Sequence, residues 1–239
     1  MSEVVYPPVI SAVKVMFKVL DLKIRVEGSD NVPREGGAVL ASNHIGYLDF
    51  IFAGFGAHPS KRLVRFMAKQ EVFAHRIGGP LMRGMKHIPV DRDAGIQSYR
   101  DALTALKSGE VVGIFPEATI STSFTVKDVK SGATRLAMSA GVPLIPVAVW
   151  GTHRLWTKGR PRNLTRRHTP ITILVGEPLH PTRKDNMDVV NAELRARMTA
   201  LVDKAQREYP DKPAAGEDPW WVPAHLGGTA PQPKATPAA

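Results

Sequence analysis

The segment Asn43-His44-Ile45-Gly46-Tyr47-Leu48-Asp49 sets a base and a carboxylate five residues apart, directly after the apolar run from Ala38 to Ala41. A neutral imidazole takes a proton from a hydroxyl only through a free ring nitrogen. A carboxylate bonded to the other nitrogen fixes that tautomer and stabilises the imidazolium. His44 and Asp49 have the chemistry for such a dyad. If a helix starts near His44, the offset turns Asp49 off the straight ladder of one face, so contact requires a non-helical first turn that bends inward. A histidine at a strand end is more often a structural hydrogen-bonding residue than a catalyst, and spacing alone leaves both readings open.

Other strand ends carry polar groups in the same manner. Val112-Gly113-Ile114-Phe115 delivers Pro116-Glu117-Ala118-Thr119, and Ile88-Pro89-Val90 ends in Asp91-Arg92. In open α/β sheets the C-terminal edge of the strands is where ligands bind. Gly141-Val142-Pro143-Leu144-Ile145-Pro146-Val147 adds a strand bounded by prolines. Lys69, Lys86, Lys127, Lys130 and Arg135 lie close to these motifs, although such residues are individually more often solvated surface charges. The chain has no cysteine, which excludes disulfides, thiolate metal sites and a cysteine nucleophile together.

The elements that would position these residues are legible as periodicity. Ala38 to Ala41, Leu63 to Ala68, Ile88 to Val90, Val111 to Phe115, Leu144 to Val149 and Ile171 to Val175 read as strands, several apolar on both faces. Ile96 to Leu106, Ala133 to Ala140 and Met187 to Leu201 read as helices. Alternation of this kind predicts an α/β fold, a mixed and mostly parallel sheet covered by helices. Val9, Ile10, Val13, Met16, Phe17 and Leu20 form the apolar face of an N-terminal amphipathic helix with Lys14 and Lys18 on another face. That helix either packs on the core or lies in a membrane interface. The chain divides into this helix (residues 1–21), a main domain (22–209) and a Pro/Ala-rich tail (210–239) expected to be disordered. Within the tail, Trp220-Trp221 suits an interfacial anchor or docking onto the domain.

A net charge of +10 calls for an acidic partner: nucleic acid, anionic lipid headgroups or a phosphorylated substrate. Arg160, Arg162, Arg166, Arg167 and His168 form the best patch for nucleic acid, yet only Trp156 lies near it as a stacking platform, so no nucleic acid is expected. No segment approaches the roughly 20 apolar residues of a spanning helix.

In order and separation, the four motifs resemble those of the glycerolipid acyltransferase family: Asn-His-x4-Asp, a strand ending in Asp-Arg, Phe-Pro-Glu-Gly-Thr-Arg-Ser, and Val-Pro-x-x-Pro-Val. The resemblance covers about residues 35–150. It implies a direct O-acyl transfer from an acyl-CoA or acyl carrier protein thioester to a lysophospholipid hydroxyl, with 1-acylglycerol 3-phosphate as the first candidate acceptor and glycerol 3-phosphate or another lysolipid as the alternative. No metal or cofactor is implied beyond the co-substrate. His44 would be the base and Asp49 its orienter. Arg92 would meet the acceptor phosphate, and Glu117, Thr119, Lys130 and Asn43 would belong to the substrate site. The setting implied is peripheral, on an anionic membrane surface at the cytoplasmic face. The chain departs from the family pattern at Ala118, where glycine is usual, at Ile120, where arginine is usual, and at Gly46, where a small polar residue is common. Losing a guanidinium at Ile120 removes a bidentate phosphate contact.

Overall fold

The computed structural model describes residues 3–91 and 95–233. In chain order the elements are α1 (Tyr6–Val19), β1 (Lys23–Glu27), β2 (Ala38–Ser42), α2 (Asp49–Gly56), β3 (Val64–Lys69), α3 (Gln70–Ala74), α4 (Gly78–Gly84), β4 (Ile88–Val90), α5 (Gly95–Lys107), β5 (Val111–Ile114), α6 (Gly132–Ala140), β6 (Leu144–Trp150), β7 (Pro170–Val175) and α7 (Met187–Arg207). The strands form one seven-stranded sheet in the order β1-β7-β6-β2-β5-β3-β4. Only the β6–β7 pairing is antiparallel, so the expected mixed, mostly parallel sheet is what forms.

Every residue of β2, β6 and β7 is buried. Strands covered on both faces must be apolar on both, which is why they read as continuous runs rather than alternations. The two faces separate residue by residue along β2. Ala38 and Leu40 join a core with Phe17 of α1 and Phe52 and Ala53 of α2. Val39 and Ala41 join another with Ala102 and Leu106 of α5, Leu136 of α6, and Leu194 and Met198 of α7. The result is a sheet between two helical layers.

β1 is a partly exposed edge strand and carries no clear apolar run, so periodicity does not find it. α3 and α4 are likewise unforeseen; each is shorter than eight residues, below the length at which helical periodicity is distinctive. α1 begins one residue before Pro7-Pro8, with the prolines in its first turn where no N–H partner is lost. Its inner face supplies Phe17 and Val13 to the core, while Val15 and Val19 stay exposed beside Lys14 and Lys18.

The expectation of a disordered tail is corrected over its described part. Residues 211–233 fold back as a strap in which Trp221 and Ala230 are buried against Tyr209, Trp150 and Val202. Composition misses this because a few aromatic side chains carry most of the burial in a segment otherwise rich in proline and glycine. Residues 234–239 lie outside the described residues.

Candidate active site

The histidine and aspartate meet. After β2 the chain makes a non-helical loop over residues 43–48 before α2 begins at Asp49. Nδ1 of His44 lies 3.0 Å from Oδ2 of Asp49. The same oxygen accepts the backbone N–H groups of Ile45 at 2.6 Å and Gly46 at 2.8 Å. The carboxylate itself therefore makes the inward bend that the offset of five demands. Its other oxygen accepts the hydroxyl of Thr152. Asp49 is fully buried, while 21% of the His44 side chain is exposed. Burying a carboxylate is tolerable only when its lone pairs are engaged, and these donors engage both oxygens. With Nδ1–H donating to Asp49, Nε2 carries the lone pair, and among the described residues nothing occupies it.

Both neighbouring strands clamp the loop. Toward β6, Asn43 accepts the N–H of Val149 at 2.7 Å and donates to its carbonyl at 3.1 Å. Toward β5, the N–H of His44 donates to Oε1 of Glu117 at 2.9 Å, and its carbonyl accepts the N–H of Ser121 at 2.7 Å. The imidazole stacks on Phe115 with centroids 4.3 Å apart. A Cβ on Gly46 would stand 2.9 Å from the carbonyl oxygen of Trp156; glycine at this place follows from that close approach.

These contacts reassign two of the expected substrate contacts. Asn43 is buried with its amide spent on Val149, so it fastens the loop and does not face a substrate. Glu117 is also buried; its second oxygen accepts the N–H of Lys127 at 2.9 Å. Burial pushes its carboxyl up to about 7, opposed by those two amide donors. Its contacts are to backbone, which makes it a positioning residue. Thr119 is exposed, and its hydroxyl meets the ammonium of Lys127. Lys130 is exposed, with its N–H on the carbonyl of Pro116 at 3.0 Å. Arg92 lies outside the described residues. Lys86 precedes β4, at the opposite edge of the sheet, and pairs with Glu3. Ala118 has φ +59°, the left-handed conformation that favours the glycine usual at this position.

Beside the dyad, an apolar cavity of about 320 Å³ runs along α2 from Phe50 past Gly54 to His58, closed by Val9 of α1 and Met82 of α4. Phe50, one residue beyond Asp49, packs on Phe66, which stacks on Phe115 beneath His44. Phe50 in the cavity wall is thus connected to the imidazole through two intervening rings. Sequence reasoning missed Phe115 as the floor of the imidazole and Thr152 as a partner of Asp49. Thr152 follows the end of β6, as the other motifs follow their strands, but nothing in the sequence pairs it with Asp49.

His44, with Nε2 open among the described residues, thus stands at the C-terminal edge of an α/β sheet, linked through aromatic rings to an apolar cavity. The chain belongs to the acyltransferase family: the profile described as Acyltransferase matches residues 23–150. It is 32% identical over 195 residues to the 1-acyl-sn-glycerol-3-phosphate acyltransferase of Bacillus subtilis (strain 168), covering 79% of this chain and 89% of that protein. A chloroplastic 1-acyl-sn-glycerol-3-phosphate acyltransferase of Arabidopsis thaliana is 27% identical over 76% of the chain; the chain spans 49% of that longer protein. The crystal structure of the 1-acyl-sn-glycerophosphate (LPA) acyltransferase PlsC from Thermotoga maritima superposes with a TM-score of 0.68 at 25% identity, covering 83% of this chain and 81% of that one.

Proposed function

We propose that this enzyme transfers a fatty acyl group from an acyl-CoA or acyl carrier protein thioester to the free hydroxyl of 1-acylglycerol 3-phosphate, as a step of phospholipid biosynthesis. The observation that carries the mechanism is the unoccupied Nε2 of His44, held in the basic tautomer by Asp49. Nε2 takes the proton of the acceptor hydroxyl as its oxygen attacks the thioester carbonyl. The C–O ester bond forms, the C–S bond breaks, and the imidazolium returns the proton to the departing thiolate. General base catalysis contributes about 10²–10⁴-fold, so alignment of the two substrates contributes the rest. Neither a metal nor a prosthetic group is required by these steps.

The apolar cavity suits the acyl chain, since burial of each methylene is worth about 0.8 kcal/mol. With isoleucine at 120, the acceptor phosphate falls to Arg92 and to Lys127 and Lys130, which follow the third motif. Among the described residues no helix is long and apolar enough to cross a membrane. Exposed Val15 and Val19 on α1, and Ile77 with Leu81 of the cavity lining, support peripheral contact with a membrane surface; the proposed surface is anionic, at the cytoplasmic face. The test offers the purified protein palmitoyl-CoA or oleoyl-CoA with a panel of lysophospholipids and glycerol 3-phosphate, products being identified by mass spectrometry. The chain lacks cysteine, so a thiol reagent reads released CoA without background from the protein. Phosphatidate is the expected product, and His44→Ala lowers its formation about 10³-fold. A folded His44→Ala protein that releases CoA at the wild-type rate would falsify the mechanism.

A further inference from the structure

The family profile ends at Trp150, yet the chain beyond it reaches the dyad. Gly151 turns β6 into a 3-10 turn, Thr152–Arg154. Thr152 is fully buried and gives its hydroxyl to Oδ1 of Asp49. Two more bonds join the same stretch to the catalytic loop. Thr157 donates to the carbonyl of Ile45 at 2.6 Å, and the N–H of Tyr47 donates to the carbonyl of Trp156 at 3.0 Å. The strap backs this stretch from the other side. Nε2 of His153 donates to the carbonyl of Trp221 at 2.9 Å, and Arg154, 4.2 Å above the Trp221 ring, binds Asp211 and the hydroxyl of Tyr209. Ile45, next to His44, lies in the same apolar cluster as Trp221 and Ala230.

We propose that Thr152 is a positioning residue for the acyl transfer, and that the C-terminal strap, residues 211–230, holds it against Asp49 through His153. The proposal rests on the reading of His44 as the base. Three of the four donors on Asp49 come from its own loop and converge on Oδ2; Thr152 alone sets Oδ1, and with it the plane of the carboxylate. A hydroxyl donated to a buried carboxylate stabilises the negative dyad relative to the neutral one, wherever the added proton resides. Removing it leaves Oδ1 without that donor and favours the protonated pair. It also frees the carboxylate to turn away from Nδ1.

The charged groups around Asp49 can be separated. His44 is its partner, and Glu117 acts through the amide of His44. Arg154 is matched by Asp211. Burial lowers His153 to about 3, so it stays neutral across an assay from pH 6 to pH 9.

The experiment is a pH profile of kcat on the full chain with oleoyl-CoA and 1-oleoylglycerol 3-phosphate. Thr152→Val is expected to lower kcat about 10- to 100-fold, the loss of a hydrogen bond to a charged group, and to move the acidic limb up by about one pH unit. Thr152→Ser restores both, a rescue that a methyl-packing role would not give. His153→Phe keeps an aromatic ring between Phe124 and Trp150 and lowers kcat about 3- to 10-fold. If the strap acts through Thr152, His153→Phe adds nothing to Thr152→Val. An acidic limb unmoved in Thr152→Val, or a loss confined to KM, overturns the positioning role. Multiplicative losses in the double variant overturn the part given to the strap. Should Thr152→Val not fold, Thr152→Ser and His153→Phe still decide: a Ser variant losing as much as His153→Phe without a limb shift counts against the proposal. Wild-type turnover in His44→Ala would remove the underlying mechanism, whereas an unmoved limb beside an inactive His44→Ala removes this proposal alone.

Discussion

The two flanks of the catalytic loop are built from opposite materials. On the β5–β3 side the His44 ring lies on Phe115, Phe115 on Phe66, and Phe66 and Phe50 lead into the apolar cavity. On the β6–β7 side Val149, Thr152 and Thr157 meet the loop with directed hydrogen bonds, and His153 and Arg154 anchor that side to the strap. Apolar packing is tolerant of shape and has no preferred direction, whereas a buried hydrogen bond is directional and costly to leave unmade. The imidazole is therefore cushioned. The carboxylate beside it is tethered.

Glu117 sits where the two materials meet, and its replacement gives the largest effect expected from this contrast. Glu117→Ala removes the acceptor for the amides of His44 and Lys127 at a buried site, and kcat should fall about 100-fold. Phe115→Leu removes the cushion without an unmade hydrogen bond and should cost under about tenfold. Steady-state kinetics on both variants checks the contrast. Equal losses would mean that packing, too, orients the base.

Gly54 tests the cushioned side by its contents. It faces the cavity from α2, and a Cβ there would meet the Phe66 ring at 3.3 Å. Gly54→Leu fills the space that a long chain needs. The ratio of kcat/KM for hexadecanoyl-CoA over decanoyl-CoA should fall about tenfold or more, in keeping with what a few methylenes contribute in an apolar pocket. An unchanged ratio would place the acyl chain elsewhere.

How much of this was readable beforehand depends on the same contrast. The central strands were legible because burial on both faces leaves uninterrupted apolar runs, as in Val39-Leu40-Ala41 and Leu144 to Val149. The contact between His44 and Asp49 was legible because a base and a carboxylate stand five residues apart at a strand end. Their partners were not. Thr152 is 103 residues from Asp49 in the chain, and a threonine after a strand carries no sign of which carboxylate it will meet. For Glu117, bonding to backbone amides was already a reading beside the acceptor pocket, and for both Asn43 and Glu117 it is burial and backbone partners that show where the polar groups go. For Trp221, docking and interfacial anchoring stood side by side in the sequence, since the composition of its surroundings resembles that of a disordered tail; the structure docks it.

Protonation reaches both flanks and the junction between them with opposite signs. Burial depresses His87, in the cavity wall, to about 4 and His153, on the strap side, to about 3. The stability of each neutral imidazole is present above the unfolded value near 6.5 and is lost as pH falls toward the folded one. Glu117 is raised from 4.5 to about 7, so its contribution is complete below pH 4.5 and is lost as pH rises through 7. Between pH 7 and 4.5, acidification therefore strengthens the protein at Glu117 while weakening it at both histidines. Glu117→Gln removes the offset, and its stability should fall over this interval by about 3 kcal/mol more than that of the wild type. Urea unfolding at the two pH values measures the difference; parallel behaviour would show that Glu117 titrates alike in folded and unfolded chains.

The smallest effect concerns the turn that presents Glu117. Ala118 is exposed and holds φ +59°, closing the turn with its N–H on the carbonyl of Phe115 at 2.9 Å. An L-residue pays about 1–2 kcal/mol for this conformation through the contact between Cβ and the carbonyl oxygen. Glycine avoids that contact but loses more entropy on folding, about 0.5–1 kcal/mol. Because the methyl is exposed, little packing is lost, and Ala118→Gly should stabilise the fold by up to about 1 kcal/mol, raising Tm by about 2–4 °C. Ala12, exposed in the middle of α1, provides the opposite sign: Ala12→Gly should destabilise by about 1 kcal/mol, since a helix has no use for positive φ. Thermal unfolding of the two variants side by side separates backbone conformation from the general cost of glycine. A Tm that falls in both would mean that the turn at Ala118 relaxes without strain, and that its departure from the family's glycine has no energetic consequence.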